Sequence, residues 1–320
     1  MPAEGGSTRL EASIVVPVHN EAVLLEGNTR VLVEYLDGAL DDYEVILVEN
    51  GSLDDTPSIA RGLAGALGGV RALQVPEPFL GEALRLGVSE ARYDKVVYFP
   101  IDLSADLGFI PESVALLDEF DVVVGSKRLG PSLDLRPLHR RLLSRGYHGL
   151  VRRLFATGFT DTTCVKAYRR SGVLPIFAEV PSSSQVFETE LMLAAQRMGL
   201  SIREVPVVVR GDRPSRQPLG VKVRSKLRDL LSLRVDALAF GFGGLSIATG
   251  LTILVYLSLE KVRSGAQGFL NPYSFLISIL LVVSGFQVVA FGLLANLLLQ
   301  IRRTVEVNSA NRRTEGHGEG

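Results

Sequence analysis

The chain has 320 residues, 47% of them hydrophobic, and a formal net charge of −1. That length makes room for one large domain or two small ones, and the balanced charge removes the electrostatic case for a nucleic-acid partner. A single cysteine, Cys164, excludes an intrachain disulfide, suits a reducing compartment and reads as a small core residue.

The opening MPAEGGSTRLEAS is polar and has no apolar core, so residues 1–11 are expected as a polar tail without a secretory signal. Strand-like and helix-like patterns then alternate over residues 12–215. ASIVVPV reads as a strand, followed by a helix with Leu24, Leu25, Val31, Leu32 and Leu36 on its apolar face. YEVILVEN is a second strand and Thr56–Leu67 a second helix; VRALQV, GEALRLGVSEA and KVVYFP continue as strand, helix, strand. After DVVVGSKRL comes a basic helical stretch, Leu138 to Phe155, then a helix in FETELMLAAQRMGL and a strand in SIREVPVVVR. Near-continuous Val/Ile strands between helices predict an α/β fold with a mostly parallel sheet covered on both faces. Ligands of such sheets bind outside the carboxyl ends of the strands. PVHNE, VENGSLDDT and PIDLSAD therefore fall along one rim.

The C-terminal third has a different composition. Residues 216–235, within PLGVKVRSKLRDLLSLRV, place Val223, Leu227, Leu230 and Leu231 on one helical face and Lys222, Lys226 and Arg228 elsewhere. Such a helix suits a membrane interface, or serves as an ordinary linker. Ala237–Leu259 and Ser264–Ile301 carry no charge, and a span needs about 20 apolar residues. Two transmembrane helices, 237–259 and 273–301 within 236–303, are expected; a pair of buried soluble helices is the alternative. Lys222, Arg224, Lys226, Arg228 and Arg234 precede the first span, and Arg302, Arg303, Arg312 and Arg313 follow the second. The positive flanks predict a multi-pass protein of the cell membrane with both termini and the folded domain cytoplasmic. Residues 304–320 read as a disordered polar tail. Two lone spans gain stability by associating, which makes a homo-oligomer an expectation.

Taken in order, VVPVHNE (Val15–Glu21), ENGSLDDT (Glu49–Thr56) and PID before Leu103 resemble the motifs of inverting family-two glycosyltransferases with a GT-A, Rossmann-like nucleotide-sugar-binding fold. VVVGSKRL, RRLLS, FETELMLAAQRMGLSIREVPV and the two-span hairpin resemble the dolichol-phosphate mannose synthase branch. The resemblance implies transfer of a hexose from a nucleotide sugar, of the GDP-mannose or UDP-glucose type, to a membrane polyprenyl phosphate. It implies Pro17, Asn20, Glu21, Glu49, Asn50, Gly51, Ser52 and Arg213 as nucleotide-sugar contacts, and Mg²⁺ or Mn²⁺ as the cofactor. Asp102 and Ser104 fall on metal-contacting positions, but the first Asp of the usual Asp-x-Asp is Pro100 here, which weakens the site. Asp102 also reads as a plain turn residue, and Asp106 as the cap of the segment before Pro111.

A departing diphosphate gathers negative charge, which a divalent ion or fixed cations must absorb. A phosphate-monoester acceptor, with a second pKa near 6, is already anionic at neutral pH. It needs a cationic cradle rather than a general base. By resemblance Lys127, Arg140 and Ser144 hold it, with Arg128 beside them; Arg140 and Ser144 lie one helical turn apart. Asp102, Arg140 and Ser144 are thus the candidate catalytic residues, and a solvated basic face is the alternative for the last two. Glu188 and Glu190 match an acidic pair near the sugar, or simply begin a helix. Two rivals remain: transfer to a non-phosphorylated acceptor, with Glu188 or Glu190 as base, and a catalytically weak relative acting as a membrane assembly or regulatory subunit.

Overall fold

The structure is a computed structural model that describes residues 9–130, 138–155, 157–181, 183–184, 186–210, 230, 233–265 and 272–315, without the side chains of 139–140, 302–304 and 306–315. An α/β unit, Met1–Leu219 with Ala310–Gly320, and a helical unit, Gly220–Ser309, are each compact.

Seven strands form the α/β unit's sheet: β1 Glu11–Val18, β2 Asp42–Asn50, β3 Val70–Val75, β4 Lys95–Tyr98, β5 Val122–Ser126, β6 Lys166–Arg169 and β7 Ile202–Pro206. Their order is β3-β2-β1-β4-β6-β5-β7, with every pairing parallel except the two made by β6. Period-two alternation sends Ile14, Val16, Val45, Leu47 and Val123 to one face, and Val15, Ile46, Val48, Val122 and Val124 to the other. Both sets are buried, which is why these strands read as unbroken apolar runs. Helices α1 (Ala22–Ala39), α2 (Thr56–Ala66) and α4 (Phe109–Leu116) cover the first face through Leu25, Leu32, Leu36, Leu63 and Ile110. Helices α3 (Leu80–Ser89), α6 (Arg170–Glu179) and α7 (Phe187–Arg197) cover the second through Leu84, Val88, Phe177 and Phe187. Helix α5, Leu138–Phe155, follows β5. Gly87 sits so close over β1 that a side chain would strike Val15, so α3 lies directly on the sheet.

The helical unit contains α8, Val235–Ser264, and α9, Pro272–Glu315, as far as Ser309. Both are long and apolar enough to cross a membrane, and only 11% and 17% of their most apolar windows are buried, unlike the core helices of a soluble protein. They run antiparallel along a seam of small residues. A Cβ on Gly243 would lie 2.7 Å from the Gly285 carbonyl oxygen, one on Gly250 2.6 Å from that of Ser278, and one on Gly292 would meet Ala239. Ser278, Gly285 and Gly292 recur every seven residues, as do Gly243 and Gly250, so the backbones approach without obstruction. The Ser246 hydroxyl donates to the Leu281 carbonyl across the seam at 2.8 Å. Helix α9 continues to Glu315, through residues 304–315 that were expected as disordered. A formed helix extends at the cost of one residue per hydrogen bond, and neither Gly nor Pro interrupts the sequence between Ile301 and Gly316.

Candidate active site at the sheet rim

The carboxyl ends of β1 and β2 are tied together by the side chains that the sequence singles out. Pro17, next to the last residue of β1, is in register with Val48. His19 Nδ1 lies 2.7 Å from the Asn50 carbonyl, and its Nε2 is 2.9 Å from Asn20 Nδ2. The Asn20 amide donates to Ser52 Oγ at 2.9 Å, and its side-chain oxygen accepts from the Leu53 amide at 2.8 Å. Glu21 donates its amide to Thr56 Oγ1 at 2.7 Å. His19 thus shapes the rim. Asn20 takes φ +54°, and Gly51 takes φ +66° with a would-be Cβ 2.8 Å from the Pro76 oxygen, so only glycine fits there.

Glu49 and Asn50 are 2% and 5% exposed. Glu49 Oε1 accepts from the Ser52 amide at 2.5 Å, whereas Glu49 Oε2 and Asn50 Oδ1 have no protein hydrogen bond among the described residues. Two buried acceptors at a strand end, left unbonded by the protein, are a costly arrangement unless a ligand's donors meet them.

Next along the rim, β4 pairs with β1 and delivers Pro100-Ile101-Asp102. The Leu103 amide bonds the Pro100 carbonyl at 3.1 Å, and Leu103 sits at φ +47°. Asn20 and Leu103 are the two non-glycine residues with positive φ among the described residues. Both belong to this rim, where strained backbone is commonly held for function. Asp102 is exposed, and its Oδ1 accepts the Ser104 amide at 3.0 Å. Asp106 instead accepts the Gly108 amide at 3.2 Å and opens α4, so it belongs to the helix start. The chain after β7 returns to this loop: the Asp106 amide donates to the Val208 carbonyl and the Arg210 amide to the Ser104 carbonyl, at 3.1 and 2.8 Å. Arg213, three residues on, lies outside the described residues.

No three His, Cys, Asp or Glu side chains converge among the described residues. Asp102 and Ser104 instead offer an all-oxygen donor pair, with Asp102 Oδ2 and Ser104 Oγ not hydrogen-bonded within the described protein. This fits a hard cation that keeps water and phosphate oxygens in its shell, as Mg²⁺ and Mn²⁺ do.

On the far side, β5 ends in Ser126-Lys127-Arg128. Arg128 Nη2 donates to Ser144 Oγ on α5 at 3.0 Å, which joins two of the residues expected around an acceptor phosphate. Arg140 lies on α5, but its side chain is outside the described residues. Lys127 points inward: its side chain is 4% exposed and reaches Asp161 Oδ2 at 2.5 Å. His148 Nε2 lies 3.2 Å from Asp161 Oδ1, and the amide and hydroxyl of Thr163 donate to the same oxygen. Burial pushes the Asp161 carboxyl up, but His148 and Lys127 outweigh it and hold the group well below the usual carboxylate range. Burial pushes the His148 imidazole down; Lys127 and Arg128 add to that, against the pull of Asp161. His148 and the inward turn of Lys127 are absent from the sequence-based site, because nothing local in the sequence marks a partner as distant as Asp161.

Glu188 and Glu190 open α7. Glu188 pairs with the fully buried Lys166 at 2.7 Å, Glu190 accepts from Ser184 Oγ at 2.6 Å, and Thr189 between them bonds Tyr147 and Thr162. Lys166 also escaped the sequence-based site.

The family model for Glycosyl transferase family 2 matches residues 13–176, just over half of the chain. The chain belongs to that family. Glycosyltransferase AglD of Haloferax volcanii is 34% identical over 212 residues, 64% of this chain and 34% of that protein. The Dolichyl-phosphate beta-glucosyltransferase of Drosophila melanogaster is 26% identical over 224 residues, 64% of this chain and 69% of the relative. The chain therefore spans about a third of the first relative and about two thirds of the second. Among solved structures, glucosyl-3-phosphoglycerate synthase from Mycobacterium tuberculosis with UDP superimposes at a TM-score of 0.50, with 24% identity, 70% of this chain and 80% of that one. The same enzyme with Mn²⁺, UDP-glucose and phosphoglyceric acid gives 0.50, 24%, 70% and 79%. This likeness establishes the GT-A fold.

Proposed function

We propose that this family-two member transfers one hexose, with inversion, from a nucleotide sugar to a membrane polyprenyl phosphate. The observation that carries the reading is the 3.0 Å contact between Arg128 and Ser144. It draws a basic helix onto a rim whose other end holds Glu49 and Asp102, so an anionic acceptor and an anionic donor have separate seats. The names of the relatives, a dolichyl-phosphate glucosyltransferase among them, support the lipid-phosphate acceptor.

Glu49 Oε2 and Asn50 Oδ1 accept hydrogen bonds from the base or ribose, within the frame set by Pro17, Asn20, Glu21, Gly51 and Ser52. Asp102, helped by Ser104, would hold a divalent ion, which would supply charge stabilisation for the leaving group. A UDP-glucose complex with Mn²⁺ in a solved GT-A neighbour is in keeping with this assignment. By the family resemblance Arg213, outside the described residues, is assigned to the donor's diphosphate. Arg128, Arg140 and Ser144 orient the acceptor phosphate, and Lys127 supports them from beneath through Asp161. The anionic phosphate oxygen attacks C1 of the sugar, the C1–oxygen bond to the diphosphate breaks, and its electron pair leaves with the nucleoside diphosphate. No proton has to be removed, so Glu188 and Glu190 serve the sugar hydroxyls rather than act as bases. The basic flanks of α8 and α9 keep the catalytic unit and both termini on the cytoplasmic side.

Pro100 favours one second reading, a catalytically weak membrane subunit, and one experiment separates the two. The full chain, reconstituted in vesicles, is incubated with polyprenyl phosphate and a panel of nucleotide sugars, with and without a chelator, and the products are weighed by mass spectrometry. One donor is expected to yield product in a divalent-dependent way. Absence of product with every donor contradicts the enzyme reading.

A further inference from the structure

Helix α5 presents an outer face that the site chemistry does not use. Leu138 and Leu142 are 64% and 54% exposed there. Positions 138, 142, 145, 149 and 152 follow one helical stripe, with the buried His148 at its edge and the buried Val151 on the far side. The helix holds Arg140, Arg141, Arg145, Arg152 and Arg153 and no acidic residue, in a chain of net charge −1. Toward its C-terminal end, Gly149, Arg152, Arg153 and Thr157 line an open depression of about 460 Å³. The other large apolar side chains exposed on the described α/β unit, Val23, Val31, Leu53 and Met198, are scattered over α1, the β2–α2 loop and the end of α7.

We propose that this face of α5 is a membrane-contact surface for anionic phospholipid, separate from the two spans. A helix lying in the interface buries leucines at the acyl boundary and keeps arginines among the headgroups. Each arginine near an anionic leaflet gains from its surface potential, which gives this charge pattern its partner. A second copy of the chain suits the face poorly, because a two-fold contact sets Arg145, Arg152 and Arg153 against their own counterparts. The inference extends the lipid-phosphate reading above, since α5 also carries Ser144 and thereby brings the acceptor cradle to headgroup depth.

The test reads depth, not turnover, so its failure is distinct from failure of the transfer reaction. The full chain carrying Leu142→Cys, or Val31→Cys on the acidic helix α1, is spin-labelled and reconstituted in phosphatidylglycerol-containing vesicles. The unaltered chain is the blank, because its one cysteine, Cys164, is buried. The ratio of oxygen to nickel-chelate collision rates is expected to be several-fold higher at 142 than at 31. It should fall to the value at 31 when Arg145, Arg152 and Arg153 are all changed to Gln. Equal ratios at the two sites, an unchanged ratio in the triple variant, or dipolar broadening between labels at 142 overturns the proposal.

Discussion

At the scale of single residues, two carboxylates of the same PIDLSAD motif take different parts. Asp106 is occupied by the Gly108 amide at the start of α4, whereas Asp102 stands exposed on a turn with one oxygen uncommitted. Asp102→Ala therefore removes the proposed metal ligand without disturbing the core. Transfer should fall by roughly 10²–10³-fold, the scale of losing one stabiliser of transition-state charge, while the melting temperature is unchanged; steady-state assay and thermal unfolding in detergent check both halves. His148 makes a second, opposite kind of prediction. Its folded-state pKa is depressed, so below about 6.5 the unfolded chain takes up a proton that the native imidazole refuses. Stability is then fully present above that pH and declines as the pH falls, and Asp161, also depressed, adds to the loss only at more acid pH. Unfolding measured from pH 8 to 5 should show this decline in the native chain and a flatter profile in His148→Gln.

At the scale of elements, legibility followed local pattern. Strands β1, β2 and β4 and helices α1 and α5 show in the sequence because period-two or period-3.6 burial is written into neighbouring residues. β6 does not: four residues long, it begins with Lys166, whose charge is buried only because Glu188 meets it from α7. Pro175 inside α6 disguised that helix in the same way. The candidate site divides along the same line. The rim motifs and the basic α5 were readable, but the inward turn of Lys127 toward Asp161 was set by tertiary contacts. The hairpin supplies its own test. A side chain at Gly285 would enter the Gly243 carbonyl and Ile247, so Gly285→Leu should destabilise the paired helices by about 1–3 kcal/mol, the usual penalty of overpacking. Thermal unfolding in detergent measures it, with Phe286→Leu, on the exposed side, as a near-neutral control.

At the scale of the whole molecule, a GT-A sheet with an oxygen-lined rim shares its chain with two helices fit to span a membrane. That combination suits a reaction in which a soluble, doubly charged donor meets an acceptor that cannot leave the bilayer. The central claim is that the nucleophile is an already ionised lipid phosphate, held by Arg128, Arg140 and Ser144, and not a hydroxyl activated by a carboxylate. Its most direct test offers the vesicle-reconstituted chain equal amounts of polyprenyl phosphate and the matching polyprenol, with the active nucleotide sugar, and resolves the lipid products by mass. One hexose is expected on the phosphate and none on the alcohol. A hexosylated polyprenol, or a chain of sugars on either lipid, would contradict it.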